Sequence, residues 1–162
     1  DPIVLALAIP DPEIDPRAAR EAGAAVVATG RSDHPNMMDI SLVFPGVFRG
    51  LLDSGTRNIR LRTLLYAAEA LASLVPENEL NPDNIVPRIF DFRVAPTIAA
   101  AVVQAGIETG EALYDIRPEA VAERTRRYVY EGVMLPRSSS NGTNGNGLAR
   151  RKPEGLREEA LD

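Results

Sequence analysis

The feature that most constrains the fold is an unbroken apolar run near the start of the chain, residues 3–9, with the sequence IVLALAI. A strand with one face in water alternates apolar and polar residues, whereas an unbroken run is typical of a parallel strand covered on both faces. Such a strand normally lies inside its sheet and has a neighbour on each side. Because only Asp1 and Pro2 precede the run, we expect the chain to begin partway through a domain.

The next segments predict a parallel crossover. Pro10 ends the first strand, since proline donates no hydrogen bond to a sheet. Asp15 is a good N-cap, Pro16 suits the first helical position and Gly23 can close a short helix. Residues 25–30 (AVVATG) then predict a second buried strand that ends in glycine. Strand, helix and strand in this order are typical of an α/β fold with a parallel sheet.

A loop over residues 31–38 follows the second strand, at the sheet edge where open α/β domains bind their ligands. Helices are predicted over residues 44–52, 61–75, 96–113 and 118–131. The clearest is the second, whose apolar residues form one stripe at helical spacing: Leu61, Leu64, Leu65, Ala68, Leu71, Ala72 and Val75. In the last helix, we expect Val121, Thr125, Tyr128 and Val129 to face inward.

Composition excludes several classes of protein. The net charge of −5 argues against a general nucleic-acid binder, which needs a basic surface. The chain contains no cysteine, so it can form neither a disulfide nor a thiolate zinc site. No apolar stretch approaches the roughly 20 residues that span a bilayer. Residues 137–162 are rich in Ser, Asn, Gly and charged residues, and we interpret them as a disordered tail or linker after a domain over residues 1–136.

Four segments in register resemble the second half of the cofactor domain of bacterial malic enzymes. They are residues 2–13 (PIVLALAIPDPE), 28–36 (ATGRSDHPN), 44–50 (FPGVFRG) and 90–96 (FDFRVAP). No single segment is specific for the family, but the order and spacing of the four together are specific. The resemblance covers roughly residues 2–115, which is most of the part that we expect to be ordered.

This resemblance implies an incomplete doubly wound, Rossmann-like parallel sheet flanked by helices, followed by C-terminal helices and the flexible tail. It also implies NAD or NADP as cofactor, Mg²⁺ or Mn²⁺, and oxidative decarboxylation of malate to pyruvate and CO₂. We therefore expect part of a cytoplasmic oxidoreductase that acts on a small-molecule substrate. Family members are generally homo-oligomers, at least dimers, and no nucleic acid or membrane partner is expected.

Much of the machinery of such an enzyme is expected outside this chain. The Gly-rich cradle for the cofactor pyrophosphate should follow the first strand of the domain, and no G-x-G-x-x-G motif occurs here. In the family, the general acid, the general base and the metal carboxylates lie in the N-terminal direction. We assign no catalytic and no metal-binding residue, and we expect the isolated chain to be inactive.

The resemblance places cofactor contacts at Ala8, Ile9, Gly30 and Arg31, and substrate contacts at Ile9 and the pair Asp39 and Ile40. Gly30 has two interpretations, a turn glycine or a point of close approach for the nicotinamide. The family normally has asparagine where Ile9 stands, and two asparagines at positions 39 and 40. Isoleucine has no hydrogen-bonding side chain, and Asp39 would repel a substrate carboxylate.

These departures leave alternatives open. The chain could belong to an oxidoreductase for a different 2-hydroxy acid. It could also be a degenerate, non-catalytic domain kept for assembly or nucleotide sensing, or a stand-alone interaction domain. Upstream coding sequence with the Gly-rich motif and the family's lysine, tyrosine and metal carboxylates would favour the enzyme.

The remaining polar residues have structural interpretations. His34 is read as a surface histidine, because the consecutive Ser32, Asp33 and His34 rarely converge into a triad. Asn36 is read as a turn residue. Ion pairs are expected to fix loops at Arg49 and at Asp91 with Arg93, and a solvated helix face is expected at Arg124, Arg126 and Arg127.

Overall fold

The computed structural model describes residues 1–132, and the predicted tail over residues 137–162 lies outside them. The elements are β1 (Ile3–Ala6), α1 (Pro16–Glu21), β2 (Val26–Thr29), α2 (Ile40–Ser54), α3 (Leu61–Ala72), α4 (Val94–Glu108) and α5 (Pro118–Tyr130). None of the five described helices has the length and apolar content that a membrane crossing requires.

The two strands pair in parallel, with Ile3 opposite Val26 and Ala6 opposite Thr29, so the predicted crossover is confirmed. The first strand is shorter than predicted, because it ends at Ala6 and residues 7–9 leave the sheet. Among the described residues β1 pairs only with β2. Its other edge therefore carries no described strand. The sheet face that bears Ile3 and Leu5 is also exposed, because these side chains are 66% and 52% exposed.

The crossover helix follows its local sequence signals. The Asp15 carboxylate accepts hydrogen bonds from the amides of Arg17 (2.8 Å) and Ala18 (3.2 Å), and Pro16 takes the first helical position. After the helix, Gly23 adopts a φ of 101°, which a residue with a side chain rarely adopts. This turn returns the chain to β2, where the amide of Ala25 donates to the carbonyl of Pro2 at 2.8 Å.

Helix α2 begins four residues before the predicted start, at Ile40, and contains Pro45. A helix that began at residue 44 would have Pro45 in its first turn, where a missing N–H costs nothing. The actual start is fixed by Asp39, whose side chain accepts the amide of Ser41 at 2.9 Å. At the other end Gly55 adopts a left-handed conformation with a φ of 69°, close to the predicted break.

Helix α4 is the centre of the core and packs against α2, α3 and α5. Its buried side chains belong to two clusters, one with α2 and α3 and one with α5. Gly46 and Gly50 let α2 lie close to α4, because a Cβ atom at these positions would stand 2.8 Å from the Ala95 carbonyl and 2.7 Å from the Ala99 carbonyl. The helix ends at Glu108, five residues before the predicted end at 113, and Gly110 turns the chain with a φ of 71°.

Most of the apolar stripe of α3 faces solvent, although Leu71 packs against the core. Thr63 and Ala67 are buried against the core, whereas Leu61 is 73% exposed and Leu65 is 52% exposed. On an amphipathic helix the apolar stripe normally faces the core. Here the small residues of the opposite face take that place, because they allow α3 to lie near α4.

The inward-facing residues predicted for α5 are confirmed only in part. Val121 and Thr125 are buried, but Tyr128 and Val129 are 48% and 47% exposed, so the inward orientation expected for them is wrong. The solvated face expected at Arg124 is also wrong. Its side chain is only 15% exposed, because Arg124 lies beside the buried row and reaches Asp53 on α2.

A buried ion-pair network joins α2 to α5. Asp53 Oδ2 accepts Arg49 Nε at 3.0 Å and Arg124 Nη1 at 3.5 Å, and the Asp53 side chain is only 3% exposed. The Arg49 guanidinium also lies 5.5 Å from the ring centre of Tyr128. Arg49 therefore helps to join α2 to α5, and the expectation that it fixes a loop is wrong. The other expected pair is confirmed, since Arg93 Nη2 lies 2.6 Å from Asp91 Oδ2.

We predict that Asp53→Ala destabilises the fold by about 3–5 kcal/mol, because it leaves two arginines in a buried site without their carboxylate. Urea denaturation followed by circular dichroism measures this loss. Arg126→Ala is the matched control, because Arg126 pairs on the exposed face of α5 with Glu123, and little change is expected there. Equal losses in the two variants would contradict a structural role for the network.

Candidate functional site

The carboxyl ends of β1 and β2 bring two of the predicted residues into contact. Ile9 follows β1, and its Cγ1 atom lies 2.7 Å from the position that a Cβ atom on Gly30 would occupy. Ile9 is nevertheless 60% exposed, so one side of the isoleucine covers Gly30 and the other faces solvent. This pair forms an apolar surface at the edge of the sheet where ligands of open α/β folds bind.

Gly30 has a role that neither sequence interpretation contained. It is buried, and the space that a side chain would fill is taken by Ile9 and by the Leu7 carbonyl oxygen, 3.0 Å from the ideal Cβ position. The chain's own packing therefore requires glycine here. Direct approach of a nicotinamide to the Gly30 Cα on that side would need Ile9 to move.

Ala8, the other cofactor contact predicted after β1, is exposed, and a hydrogen bond from its backbone amide fixes its position. Its amide donates to Glu13 Oε2 at 3.0 Å, which closes the turn through the proline-rich segment. This hydrogen bond lowers the pKa of Glu13. The side chain of Ala8 contributes little chemistry, so its part in a ligand site would be that of a backbone surface.

The Arg31 guanidinium is paired with the carboxylate of Asp33. Its Nε and Nη2 atoms donate to the two carboxylate oxygens of Asp33, at 2.8 and 2.6 Å. The side-chain hydrogen bond from Arg31 lowers the pKa of Asp33 to about 2, while the same contact raises the pKa of Arg31. His34 Nε2 stands 4.0 Å from Asp33, and its side chain is 22% exposed, which is less than a surface histidine would be.

Asn36 is a turn residue, as predicted, and also a buried tie between segments. It has a positive φ of 54° and is 6% exposed. Its amide group donates to the carbonyls of Val27 (3.0 Å) and Pro82 (2.8 Å), and its oxygen accepts the amide of Ile85 at 2.9 Å. All three side-chain bonds are internal, so Asn36 positions the loop and is not available to a ligand. Asparagine's tolerance of the left-handed region was the only sequence signal for this role.

Asp39 and Ile40 reach the same edge through the backbone. The amide of Met38 donates to the Thr29 carbonyl at 2.8 Å, which brings the start of α2 alongside the end of β2. Asp39 caps α2, and the Ser41 hydroxyl and then the Ser41 amide lower its pKa. Asp39 is therefore charged at neutral pH, as the sequence analysis assumed. Ile40 is 68% exposed, and within residues 1–132 no hydrogen bond or ion pair joins Asp39 or Ile40 to Ile9.

The edge offers no obvious place for a metal ion. Within residues 1–132, no three His, Cys, Asp or Glu side chains are grouped as metal ligands would be. The charges at this edge are mostly negative, because Asp33 neutralises Arg31 while Asp39 and Glu13 remain. An apolar, partly acidic surface of this kind suits a ring without negative charge better than a phosphate group.

A parallel crossover with a ligand edge, flanked by helices, defines part of an α/β nucleotide-binding domain. The family model described as malic enzyme, NAD binding domain, matches residues 2–107. The chain belongs to this family.

Individual relatives agree with this assignment. The chain is 52% identical over 132 residues to a bifunctional malic/malolactic enzyme of Bacillus subtilis, covering 82% of this chain and 32% of the relative. It is 49% identical to an NAD-dependent malic enzyme of Geobacillus stearothermophilus, covering 73% and 24%. The crystal structure of malic enzyme from Pyrococcus horikoshii superposes with a TM-score of 0.74 at 42% identity, covering 82% and 30%. The chain thus spans no more than a third of the length of these relatives.

We predict that Gly30→Ala destabilises the fold by about 1–3 kcal/mol, because the added methyl group overlaps the Ile9 side chain. Ile9→Ala removes that obstacle, so Gly30→Ala should cost less in the Ile9→Ala background than in the unmodified chain. A double-mutant cycle by urea denaturation measures the difference. Strictly additive losses would show that Ile9 does not pack on Gly30 in solution.

The Asp33 carboxyl group provides a pH test of the edge. Because its folded pKa is lowered, the Arg31 pair contributes stability above the ordinary pKa of 3.8, and this contribution disappears as the pH falls towards 2. Carboxyl carbon NMR should give a midpoint near 2, and Arg31→Gln should move it towards 3.8. Asp39, which is held by Ser41, is the control and should titrate alike in both proteins. A midpoint of 3.8 for Asp33 in the unmodified chain would rule out the pair.

Proposed function

We propose that residues 1–136 form the C-terminal part of the NAD(P)-binding domain of an oxidoreductase that converts malate to pyruvate and CO₂. The observation that carries this proposal is the contact of Ile9 with Gly30 at the carboxyl edge of a parallel crossover, inside the stretch that matches the family. The proposal includes a small-molecule substrate, a cytoplasmic location and a homo-oligomeric enzyme.

In this reaction NAD or NADP supplies the hydride acceptor, and Mg²⁺ or Mn²⁺ supplies the Lewis acid for loss of CO₂. The general base, the general acid and the metal ligands are proposed to come from outside this chain. Within it, the exposed side of Ile9 offers an apolar surface to an aromatic ring. Ala8, which is also exposed, forms the rest of that surface.

The charges at the sheet edge favour one end of the dinucleotide over its pyrophosphate. Arg31 is held by Asp33, and the nearby carboxylates of Glu13 and Asp39 repel phosphate. The edge therefore suits the nicotinamide end of a dinucleotide, and the pyrophosphate is expected to lie elsewhere. This is consistent with the absence of a Gly-rich phosphate motif from the sequence.

One observation favours a second candidate, an oxidoreductase for a 2-hydroxy acid without a second carboxylate. Asp39 is charged and Ile9 is apolar, so neither side chain can attract a carboxylate. The same features would also suit a degenerate domain that senses nucleotides without catalysis. Activity of the complete enzyme separates these possibilities.

The decisive experiment measures the reduction of NAD⁺ and NADP⁺ by the complete enzyme, with Mn²⁺ and a panel of 2-hydroxy acids. Malate turnover with release of pyruvate and CO₂ is the expected result. Turnover of a monocarboxylic hydroxy acid in preference to malate would establish the second candidate. Cofactor binding without turnover of any hydroxy acid would identify a nucleotide-sensing domain.

We predict that Ile9→Asn in the complete enzyme raises kcat/KM for malate or leaves it intact. An amide at this position can bond to a carboxylate, and one such bond contributes roughly 1.5–3 kcal/mol, or about tenfold or more in rate. Leu52→Asn is the control, because Leu52 is 72% exposed on α2, outside the sheet edge. A large loss of malate activity on Ile9→Asn, with another hydroxy acid still converted, would overturn the malate assignment.

A further inference from the structure

Residues 36–38 run beside the end of β2 and connect two parts of the sheet edge. The Thr29 amide donates to the Asn36 carbonyl at 3.4 Å, and the Met38 amide donates to the Thr29 carbonyl at 2.8 Å. Thr29 directly precedes Gly30, and Met38 stands two residues before the first residue of α2. The path of residues 36–38 therefore sets where the start of α2 stands relative to Gly30.

The Asn36 side chain fixes that path from a second direction. Its Nδ2 atom donates to the carbonyl of Val27 on β2 (3.0 Å) and to the carbonyl of Pro82 (2.8 Å). Its Oδ1 atom accepts the amide of Ile85 at 2.9 Å. Pro82 and Ile85 belong to the connection between α3 and α4, 46 and 49 residues away in sequence. One buried side chain thus joins β2, the loop before α2 and the turn at residues 81–85.

The bonds of Asn36 exceed what its backbone conformation requires. The φ of 54° lies in the left-handed region, where glycine is the residue that fits without strain. Glycine would serve a simple turn, but it offers none of the three side-chain bonds. The asparagine amide donates twice and accepts once, so it meets both demands with one short side chain. The residue type therefore matches a link between segments, in addition to a turn.

The other contact of the same turn lies at the surface. Arg20 of α1 pairs with Asp83 and donates to the Pro82 carbonyl at 3.4 Å. The side chains of this pair are 37% and 60% exposed. Exposed ion pairs contribute little, because water and salt screen them. Asn36 is therefore the contact that holds the turn against the loop before α2.

We propose that Asn36 is a positioning residue for the proposed reaction. It touches neither substrate nor cofactor, and it acts through residues 36–38, which set the distance between the start of α2 and the pair of Ile9 and Gly30. The inference rests on the proposed function, since it concerns the geometry of the same edge. A displacement of about 1 Å at a binding contact can cost on the order of a hundredfold in rate, so such a residue is expected to affect the reaction strongly.

Steady-state kinetics of the complete enzyme with malate test the role. Asn36→Gly keeps the left-handed backbone and removes all three bonds, and it should raise KM for malate by about tenfold or more. Loss of folded enzyme alone would lower the apparent kcat and leave KM unchanged, so KM separates positioning from stability. Asn36→Asp keeps the acceptor for the Ile85 amide but neither donor, and it should also raise KM. An unchanged KM in Asn36→Gly would overturn the proposal.

Two neighbouring substitutions are matched controls, because both leave the bonds of Asn36 intact. Asp83→Ala removes the exposed pair with Arg20. Asn84→Ala removes a bond from Nδ2 to the Glu79 carbonyl, 3.0 Å long, within the same connection. Each should change KM by less than about twofold. A rise equal to that of Asn36→Gly in either control would show that any damage to this connection disturbs the site, and it would refute a specific role for Asn36.

Hydrogen–deuterium exchange of the complete enzyme, measured by mass spectrometry, tests the geometry without a substrate. Asn36→Gly should speed exchange in the peptides that contain Met38 and Ile85 and should leave α4 unchanged. Unchanged exchange in these peptides, or equal acceleration throughout α4, would show that Asn36 does not hold this edge locally and would overturn the proposal. If the unmodified enzyme converts no hydroxy acid, the proposed function fails, and the exchange result then decides by itself whether Asn36 holds the edge.

Discussion

The close packing of α2 on α4 is the contact on which the rest of the described structure depends. The two helices approach so closely that Cβ atoms at Gly46 and Gly50 would stand within 2.8 Å of carbonyl oxygens on α4. Ile98 and Val102 fill the remaining space and are fully buried. Because protein interiors are close-packed, this contact leaves α2 very little freedom to slide along α4. The position of Asp39, which caps α2, is fixed at the same time.

The sheet edge is attached to this helical framework by a few polar contacts. Asn36 bonds to β2 and to the loop that contains Pro82 and Ile85, and its side chain has almost no contact with solvent. The Met38 amide then pairs with the end of β2, one residue before the cap of α2. Buried hydrogen bonds of this kind are expensive to leave unmade, so they help to hold the start of α2 beside Gly30.

The parts of the fold that the sequence could predict are those with local signals. Asp15, Pro16 and Gly23 determine the crossover helix within one short segment, and the parallel pairing follows from two apolar runs. The start of α2 was predicted four residues too late, although Asp39 and Ser41 could have been recognised as a cap. Arg124 could also have been found, since it stands three positions after Val121 on the buried side of α5.

Other features depend on the whole fold and have no local signal. Periodicity identified the stripe of α3 but could not say whether protein or water covers it, because that depends on which face fits against α4. In the same way, the contact of Ile9 with Gly30 joins residues far apart in sequence. The residue types suggested a ligand edge there, but only the packing shows that the isoleucine occupies the space above the glycine.

The two clusters of buried apolar residues lie among the helices, away from the sheet edge that is proposed to bind the ligand. Both clusters of buried apolar residues consist of side chains from the helices and the segment before α5, and neither includes a residue of β1 or β2 within residues 1–132. The strands bury Ala6, Val27 and Ala28 but leave Ile3 and Leu5 exposed. Any segment that covers these two residues would remove apolar surface from water and would stabilise β1 in its present register. Completion of the sheet and ordering of the Ile9 edge are therefore coupled, since Ile9 lies three residues after β1 and packs on Gly30, which follows β2.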